Sequence, residues 1–292
     1  MEVLDNLVFY NHYGAGDLFE SREFIKAYME RIPAKTYSYA HGKNPRIFRD
    51  IENLQSVNIE EWMPMRAAAA YVNKTNLIIN TWIGRDGKYV LPGIGCTIEK
   101  LYEMHNDILN ELNLSPLEKP IIEYAPKVNW EYFKTEPIIK WLEEHKDTKK
   151  ILISNGPVQS NQAENFSFTN IIKNLGEKYK YILFLVTQPD DILSENIVYT
   201  ENITKTSDKF DLNEIGYLSL YCDIFIGRCS GPHVFAQNYD NWNNPLKTSL
   251  SFTYTAYGSH NIYTNLVKMK RYWSAKVDPN EVFDACCKVI EK

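Results

Sequence analysis

Four short stretches of this 292-residue chain gather residue types that could do chemistry. The first is His12-Tyr13-Gly14-Ala15-Gly16-Asp17, set between the apolar run Leu7–Tyr10 and a series (Leu18, Phe19, Phe24, Ile25, Tyr28) at roughly helical spacing. That order reads as strand, glycine-containing turn, helix, with Pro33 closing the helix. Glycines let a backbone bend sharply and approach a bound molecule closely. A carboxylate at such a turn can take a proton from a hydroxyl. Asp17 would be that base, with His12, Gly14 and Gly16 lining the place of the hydroxyl-bearing molecule. A second reading stands beside it: Asp17 followed by Glu20 has the spacing of a capping box, which would make Asp17 a helix cap.

The second stretch is Asp223–Ala236, DIFIGRCSGPHVFA, an apolar strand running into Arg228, Cys229, Ser230, Gly231, Pro232 and His233. Pro232 suits the first position of a following helix. Amide groups at a helix start, a serine hydroxyl and an arginine together suit a diphosphate. An ordinary strand-to-helix turn would look similar. The third, Ser154-Asn155-Gly156-Pro157, ends another apolar strand, and Asn155 and Gly156 are placed to meet a phosphate or a sugar. The fourth is Thr187-Gln188-Pro189, where Gln188 is placed to touch a base or ribose. His233 and His260 are read as structural histidines before catalysts. The chain contains no GxxxxGK[ST] loop, HExxH, GxSxG, full GxGxxG or Asp-x-Asp pair. The expectation is therefore chemistry with no cofactor and no metal.

The elements that must carry these residues alternate along the chain. Lys35–Ala40 and Asn76–Trp82 read as strands, and 97–112 as an amphipathic helix with Leu101, Met104, Ile108 and Leu112 on one face. A proline-punctuated stretch, 115–130, with a short strand at Ile121–Tyr124, marks a boundary. It divides an N-terminal domain, 1–125, from a C-terminal domain, 126–292. The alternation then restarts: helix Glu136–His145, strand Lys150–Ser154, helix Phe168–Tyr179, strand Tyr181–Thr187, strand Asn196–Tyr199. A helix opened by an Asp211–Glu214 capping box runs to Tyr221, strand Asp223–Gly227 follows, and helix Glu281–Lys292 ends the chain. Alternation of this kind predicts an α/β fold of two Rossmann-like parallel-sheet domains.

Composition narrows the partners. The net charge is -5, and the densest basic group is only Lys43, Arg46 and Arg49, which excludes a nucleic-acid surface and leaves weak contacts to an anionic molecule. Cys96, Cys222, Cys229, Cys286 and Cys287 are odd in number and lack metal-ligand spacing, which suits a reducing compartment. No leader pattern and no bilayer-length apolar run is present, so the expectation is a soluble, cytoplasmic protein without an integral membrane segment. Peripheral attachment to a membrane surface stays open.

Two of the stretches resemble a known family. Gly16–Ile25 (GDLFESREFI) is similar to the opening of the heptosyltransferase-like group, glycosyltransferase family 9. Asn213–Ala236 is similar to that family's late helix, strand and Ser-Gly-Pro turn. The resemblance implies a GT-B fold, with the two domains facing across a cleft. It also implies a metal-independent glycosyltransferase, moving a sugar from a nucleotide-sugar co-substrate to a hydroxyl of a glycan or glycolipid in polysaccharide biosynthesis. The acceptor would belong to the first domain and the donor to the second. Asp17 then takes the role of base, and Ser230, Gly231 and Pro232 contact the donor, together with Asn155, Gly156, Gln188, Arg228 and His233. Cys229 stands where the family carries an acid, and His233 directly follows the proline rather than one place later. A hexosyl, heptosyl or fucosyl donor therefore stays open. So do a non-catalytic glycan- or nucleotide-sugar-binding protein and a nucleotide-sugar epimerase.

Overall fold

The computed structural model describes residues 3–61, 70–72, 75–81, 106–107, 109–110, 113, 125–159, 162–190, 194–208, 210–254 and 267–292. The chain divides into two compact units, Met1–Lys127 and Val128–Lys292. The expected helix over 97–112 and strand Ile121–Tyr124 lie almost wholly outside the described residues, as do Cys96 and His260.

In the first unit, β1 (Leu4–Tyr10) leads through α1 (Ala15–Glu20) and α2 (Arg22–Arg31) to β2 (Ala34–His41). A 3-10 turn at Pro45–Phe48 precedes β3 (Leu54–Asn58), and β4 (Ala70–Val72) and β5 (Asn76–Asn80) follow. The sheet order is β3-β2-β1-β5-β4, parallel except for antiparallel β4 at the edge. Alternation within β1 sorts its side chains to two faces. Phe9 meets the α2 residue Tyr28 edge-on, with ring centres 6.3 Å apart, while Val8 and Tyr10 pack with Ala40 and Ile78 on the other face. Each fully buried side chain of this size stabilises by about 1.5–3 kcal/mol before entropy is counted, so the alternation fixes the register.

The helix expected from Asp17 onward differs in two ways. It begins two residues earlier, with Gly14 as its cap, and Asp17 occupies the third helical position. It also breaks at Ser21 into two helices, where the Ser21 hydroxyl turns back to donate to the Leu18 carbonyl at 2.7 Å. The Asp17–Glu20 pairing is thus corrected, while Asp17 does cap this helix, from its third position, by accepting the Gly14 N–H.

The second unit restarts with a 3-10 turn (Trp130–Tyr132), α3 (Glu136–Glu144), β6 (Lys149–Ser154), α4 (Thr169–Lys178), β7 (Ile182–Val186) and β8 (Ile197–Tyr199). There follow α5 (Thr200–Thr204), α6 (Leu212–Ser219), β9 (Ile224–Arg228), α7 (Gly231–Phe235) and α8 (Tyr239–Trp242). The unit ends with β10 (Thr248–Phe252), β11 (Lys270–Ser274) and α9 (Pro279–Ile290). All six strands are parallel, in the order β11-β10-β9-β6-β7-β8. Counted from β6, that is the doubly wound Rossmann order 3-2-1-4-5-6. One face packs Ile151, Ile153, Phe184 and Ile226 against α4 and α9. The opposite face packs Leu152, Leu185 and Phe225 against α3 and α6. Both faces are covered, which is why β7 reads as an unbroken apolar run.

The second capping box is not formed either. Asp211 precedes α6 but makes no cap bond, and its carboxylate accepts the Thr204 hydroxyl at 3.1 Å instead. At α7 the first helical residue is Gly231, with Pro232 second.

Candidate functional site

In an open parallel sheet, ligands gather beyond the carboxyl ends of the strands, at the point where the winding reverses. In the first unit that point lies between β1 and β5, and it carries the turn from Asn11 to Asp17. The half-buried His12 ring lies on that of Tyr13, with centres 4.0 Å apart. Gly14 has an ordinary backbone conformation, φ -75, so its use is space. A Cβ there would sit 3.1 Å from the Asp17 Oδ2, which instead accepts the Gly14 N–H at 2.8 Å. Gly16 has become the second residue of α1.

Two carboxyls stand one turn apart on α1. Burial pushes the Asp17 carboxyl up to about 6, against the Gly14 N–H and the more distant Lys43 charge, which pull it down. Burial lifts Glu20 to about 8, and the Asp17 charge adds to this. At neutral pH the pair therefore holds a carboxylate at Asp17 and an acid at Glu20. At the end of β2, His41 is held down to about 4 by burial, so its ring is neutral. Its Nδ1 accepts the Lys43 N–H at 3.1 Å, which leaves Nε2–H to donate to Ser56 at 3.0 Å.

In the second unit the winding reverses between β6 and β9, whose ends carry Ser154-Asn155-Gly156 and Gly227–Pro232. Gly227 is required there: a Cβ would meet the Ser154 Cβ at 2.6 Å and its carbonyl at 2.7 Å. The Asn155 side chain latches the ends of β6 and β7 by accepting the Gln188 N–H at 2.9 Å and donating to the Gln188 carbonyl at 3.1 Å. Gly156 makes room for the Gln188 side chain, whose amide would lie 2.8 Å from a Cβ at that place.

Arg228 is buried, and its partners are backbone carbonyls. Nε donates to Gly156 at 3.0 Å, Nη1 to Phe166 at 2.5 Å and Nη2 to Asn155, while the guanidinium lies over the Phe166 and Phe168 rings. Those bonds brace the 155–156 turn and leave a local positive charge there. His233 is also buried, and its Nε2 pairs with the Ser251 hydroxyl at 2.8 Å. It ties α7 to β10. Ser230 caps α7, and Gly231 and Pro232 start it. The Ser154 and Ser230 hydroxyl oxygens are buried without a hydrogen-bond partner among the described residues. A buried hydroxyl left without a hydrogen bond costs about 1–3 kcal/mol, so two at the neighbouring ends of β6 and β9 call for a partner beyond the described residues.

No family model matches the chain, and no curated protein sequence matches it. Solved structures do. A glycosyl transferase family 9 protein from Veillonella parvula is similar over 100% of this chain and 98% of that one, with TM-score 0.57 and 11% identity. The E. coli ADP-heptose lipopolysaccharide heptosyltransferase II matches over 99% of both chains, with TM-score 0.55 and 10% identity. The E. coli heptosyltransferase WaaC, solved with ADP, matches over 98% of both, with TM-score 0.53 and 9% identity.

The chain has the fold of these GT-B glycosyltransferases. The expected α/β architecture is borne out, and at identities near 10% the likeness is one of fold. Within this GT-B frame, Asn11, Ser21, Tyr39, Thr81 and Glu20 also surround the first turn, and sequence reasoning did not find them as site residues. Their only signal is position, since Asn11 and Thr81 directly follow β1 and β5. Among the described residues no cluster of three or more His, Cys, Asp or Glu could hold a metal, and no helix is long and apolar enough to cross a membrane.

Proposed function

We propose that this chain is a glycosyltransferase that moves a sugar from a nucleotide-sugar donor to a hydroxyl of a glycan or glycolipid, without a metal. The observation that carries the reading is the end of β6 and β9. There two buried hydroxyls lack partners beside a buried guanidinium bonded only to carbonyls among the described residues. Buried polar groups are normally satisfied and buried cations normally offset, so an anionic ligand with several acceptor oxygens completes this place. A diphosphate has that chemistry, and of the similar E. coli proteins WaaC is solved with ADP and another is an ADP-heptose heptosyltransferase.

In the reaction Asp17, ionised above about pH 6, takes the proton of the acceptor hydroxyl. The freed oxygen forms a bond to the anomeric carbon as the bond from that carbon to the diphosphate oxygen breaks. The electron pair leaves with the nucleoside diphosphate, whose growing charge the Arg228 cation and the Ser154 and Ser230 hydroxyls would meet. His12, Gly14 and Gly16 line the acceptor's approach, while Gln188 and Asn155 shape the nucleoside side of the donor place. Gly231 and Pro232 keep the backbone at Ser230 open to the phosphates. The work falls in the cytoplasm, where the four buried free cysteines of the described residues, Cys222, Cys229, Cys286 and Cys287, stay reduced.

The test is thermal melting of the chain with ADP, GDP, UDP and CDP and their sugars, first without metal and then with magnesium. A ligand that binds only the folded state raises the melting temperature. One base should raise it without metal, and that rise should vanish in Arg228→Gln. No rise with any nucleotide in either condition overturns the donor assignment, and a rise only with magnesium overturns metal independence.

A further inference from the structure

The turn that carries Asp17 is fastened at both ends to one buried hydroxyl, that of Tyr39 in β2, beside the central strand β1. Tyr39 is fully buried, packed against Phe9 and Phe48, with ring centres 6.1 and 4.8 Å away. Its oxygen lies 3.0 Å from the Ser21 hydroxyl, at the break between α1 and α2, and 2.8 Å from the Thr81 hydroxyl, just past β5. The Asn11 side chain donates to that Thr81 oxygen at 3.0 Å and accepts the Tyr13 N–H at 2.9 Å.

The directions of these bonds follow by elimination. The Ser21 proton is spent on the Leu18 carbonyl, so Tyr39 must donate to Ser21. With the Tyr39 proton spent, the 2.8 Å contact from Thr81 must carry the Thr81 proton, and the Tyr10 carbonyl, 3.5 Å from Thr81, is the poorer acceptor. A single chain of donors results: Asn11 to Thr81, Thr81 to Tyr39, Tyr39 to Ser21, Ser21 to the Leu18 carbonyl. Every member is buried, and bonds in one direction polarise each other. One end fixes the backbone of Tyr13, and the other fixes the last turn of α1. Asp17 sits on the segment held between them.

We propose that Tyr39 is a positioning residue for Asp17, setting through Thr81–Asn11 and through Ser21 the shape of the turn that keeps the Asp17 carboxyl out of water. It borrows from the function proposed above only the importance of Asp17. The turn's shape can be read without any sugar transfer.

The experiment is a carbon-13 NMR titration of the Asp17 carboxyl in aspartate-labelled full-length chain, assigned by its loss in Asp17→Asn. Tyr39→Phe keeps the ring and removes the hub. The released turn should hydrate Asp17, and its titration should fall from about 6 toward the usual range by about half a unit or more. Tyr179→Phe removes a comparable tyrosine bond, 2.6 Å to Glu291 in the second unit, and should leave Asp17 unmoved. A purely structural tyrosine would lower the melting temperature and leave the titration in place, and that result overturns the proposal. An equal shift in Tyr179→Phe overturns it as well. Should Tyr39→Phe not fold, Ser21→Ala cuts only the link to α1 and carries the same expectation, an unmoved Asp17 again being fatal to it. Absence of sugar transfer would fall on the proposed function and leave this result standing.

Discussion

Replacing Asp17 with asparagine separates a poised base from a helix cap by the sign of its effect on stability. The carboxyl is lifted from 3.8 to about 6 by burial, so the folded chain holds the charged form at a cost. At 1.36 kcal/mol per unit this is about 3 kcal/mol, and half-burial of the side chain discounts it to about 1–2 kcal/mol. Asparagine is nearly the same shape and its amide oxygen still accepts the Gly14 N–H, while the charge is gone. Below about pH 3 both folded and unfolded wild-type chains hold the proton, and the variant gains nothing. As pH rises to about 6 the unfolded chain loses its proton first, so wild-type stability falls through that window and the variant's does not. At pH 8 Asp17→Asn should therefore melt a few degrees above wild type, roughly 3–8 °C for a unit of this size, and the gap should shrink to about a third of that at pH 4.5. Transfer should be lost in the same variant, with the nucleotide-induced rise in melting temperature kept. Paired scans at the two pH values with a transfer assay decide it. A variant that melts lower by the same amount at both pH values shows a cap and no stored cost, and retained turnover removes Asp17 from the chemistry.

Gly227→Ala should part β6 from β9, because the new Cβ meets Ser154 at 2.6 Å. Urea unfolding should show a loss of about 1–3 kcal/mol, together with loss of the nucleotide-induced melting shift. Lys247 is buried and donates to the carbonyls of Ser219, Leu220 and Cys222 at 2.9, 2.7 and 2.8 Å, closing the end of α6. Lys247→Met should cost about 2–4 kcal/mol by orphaning them. Burial lowers this lysine from 10.5 to about 8, so between those values the unfolded chain holds a proton the folded one has shed. The group then makes stability rise with pH, and unfolding curves across that window should be flatter in the methionine variant.

The strands legible in the sequence are those whose burial is written as apolar runs. β7 is Ile182–Val186 with every residue buried, and no other element tolerates such a run at that length. β10 escaped notice for the opposite reason. Ser249 and Ser251 alternate with Leu250 and Phe252, which reads as a half-exposed strand or a loop, yet both faces are buried. Its Ser251 hydroxyl is satisfied by His233, a partner 18 residues away that no local pattern announces. β3 and β4 are short strands at or near the sheet edge, too polar or too brief to stand out. The same division holds at the sites. The turns at Asp17 and Ser230 were visible because glycine, carboxylate and hydroxyl cluster locally. The role of Arg228 was not, since its carbonyl partners lie 62 to 73 residues back in the chain.

The electrostatics of the two units fit the proposed reaction in opposite senses. In the first unit, burial has raised two carboxyls, so the turn around Asp17 favours taking up a proton. In the second, burial has enclosed a guanidinium among carbonyls, which satisfy its N–H groups but do not cancel its charge. A carbonyl brace leaves a net field that a carboxylate partner would have removed, and that field favours an arriving or developing anion. Sugar transfer requires both events, one proton leaving a hydroxyl and one negative charge settling on a diphosphate. A cofactor-free binding scaffold would need neither the raised carboxyls nor the uncancelled cation, and each is a standing cost to folding.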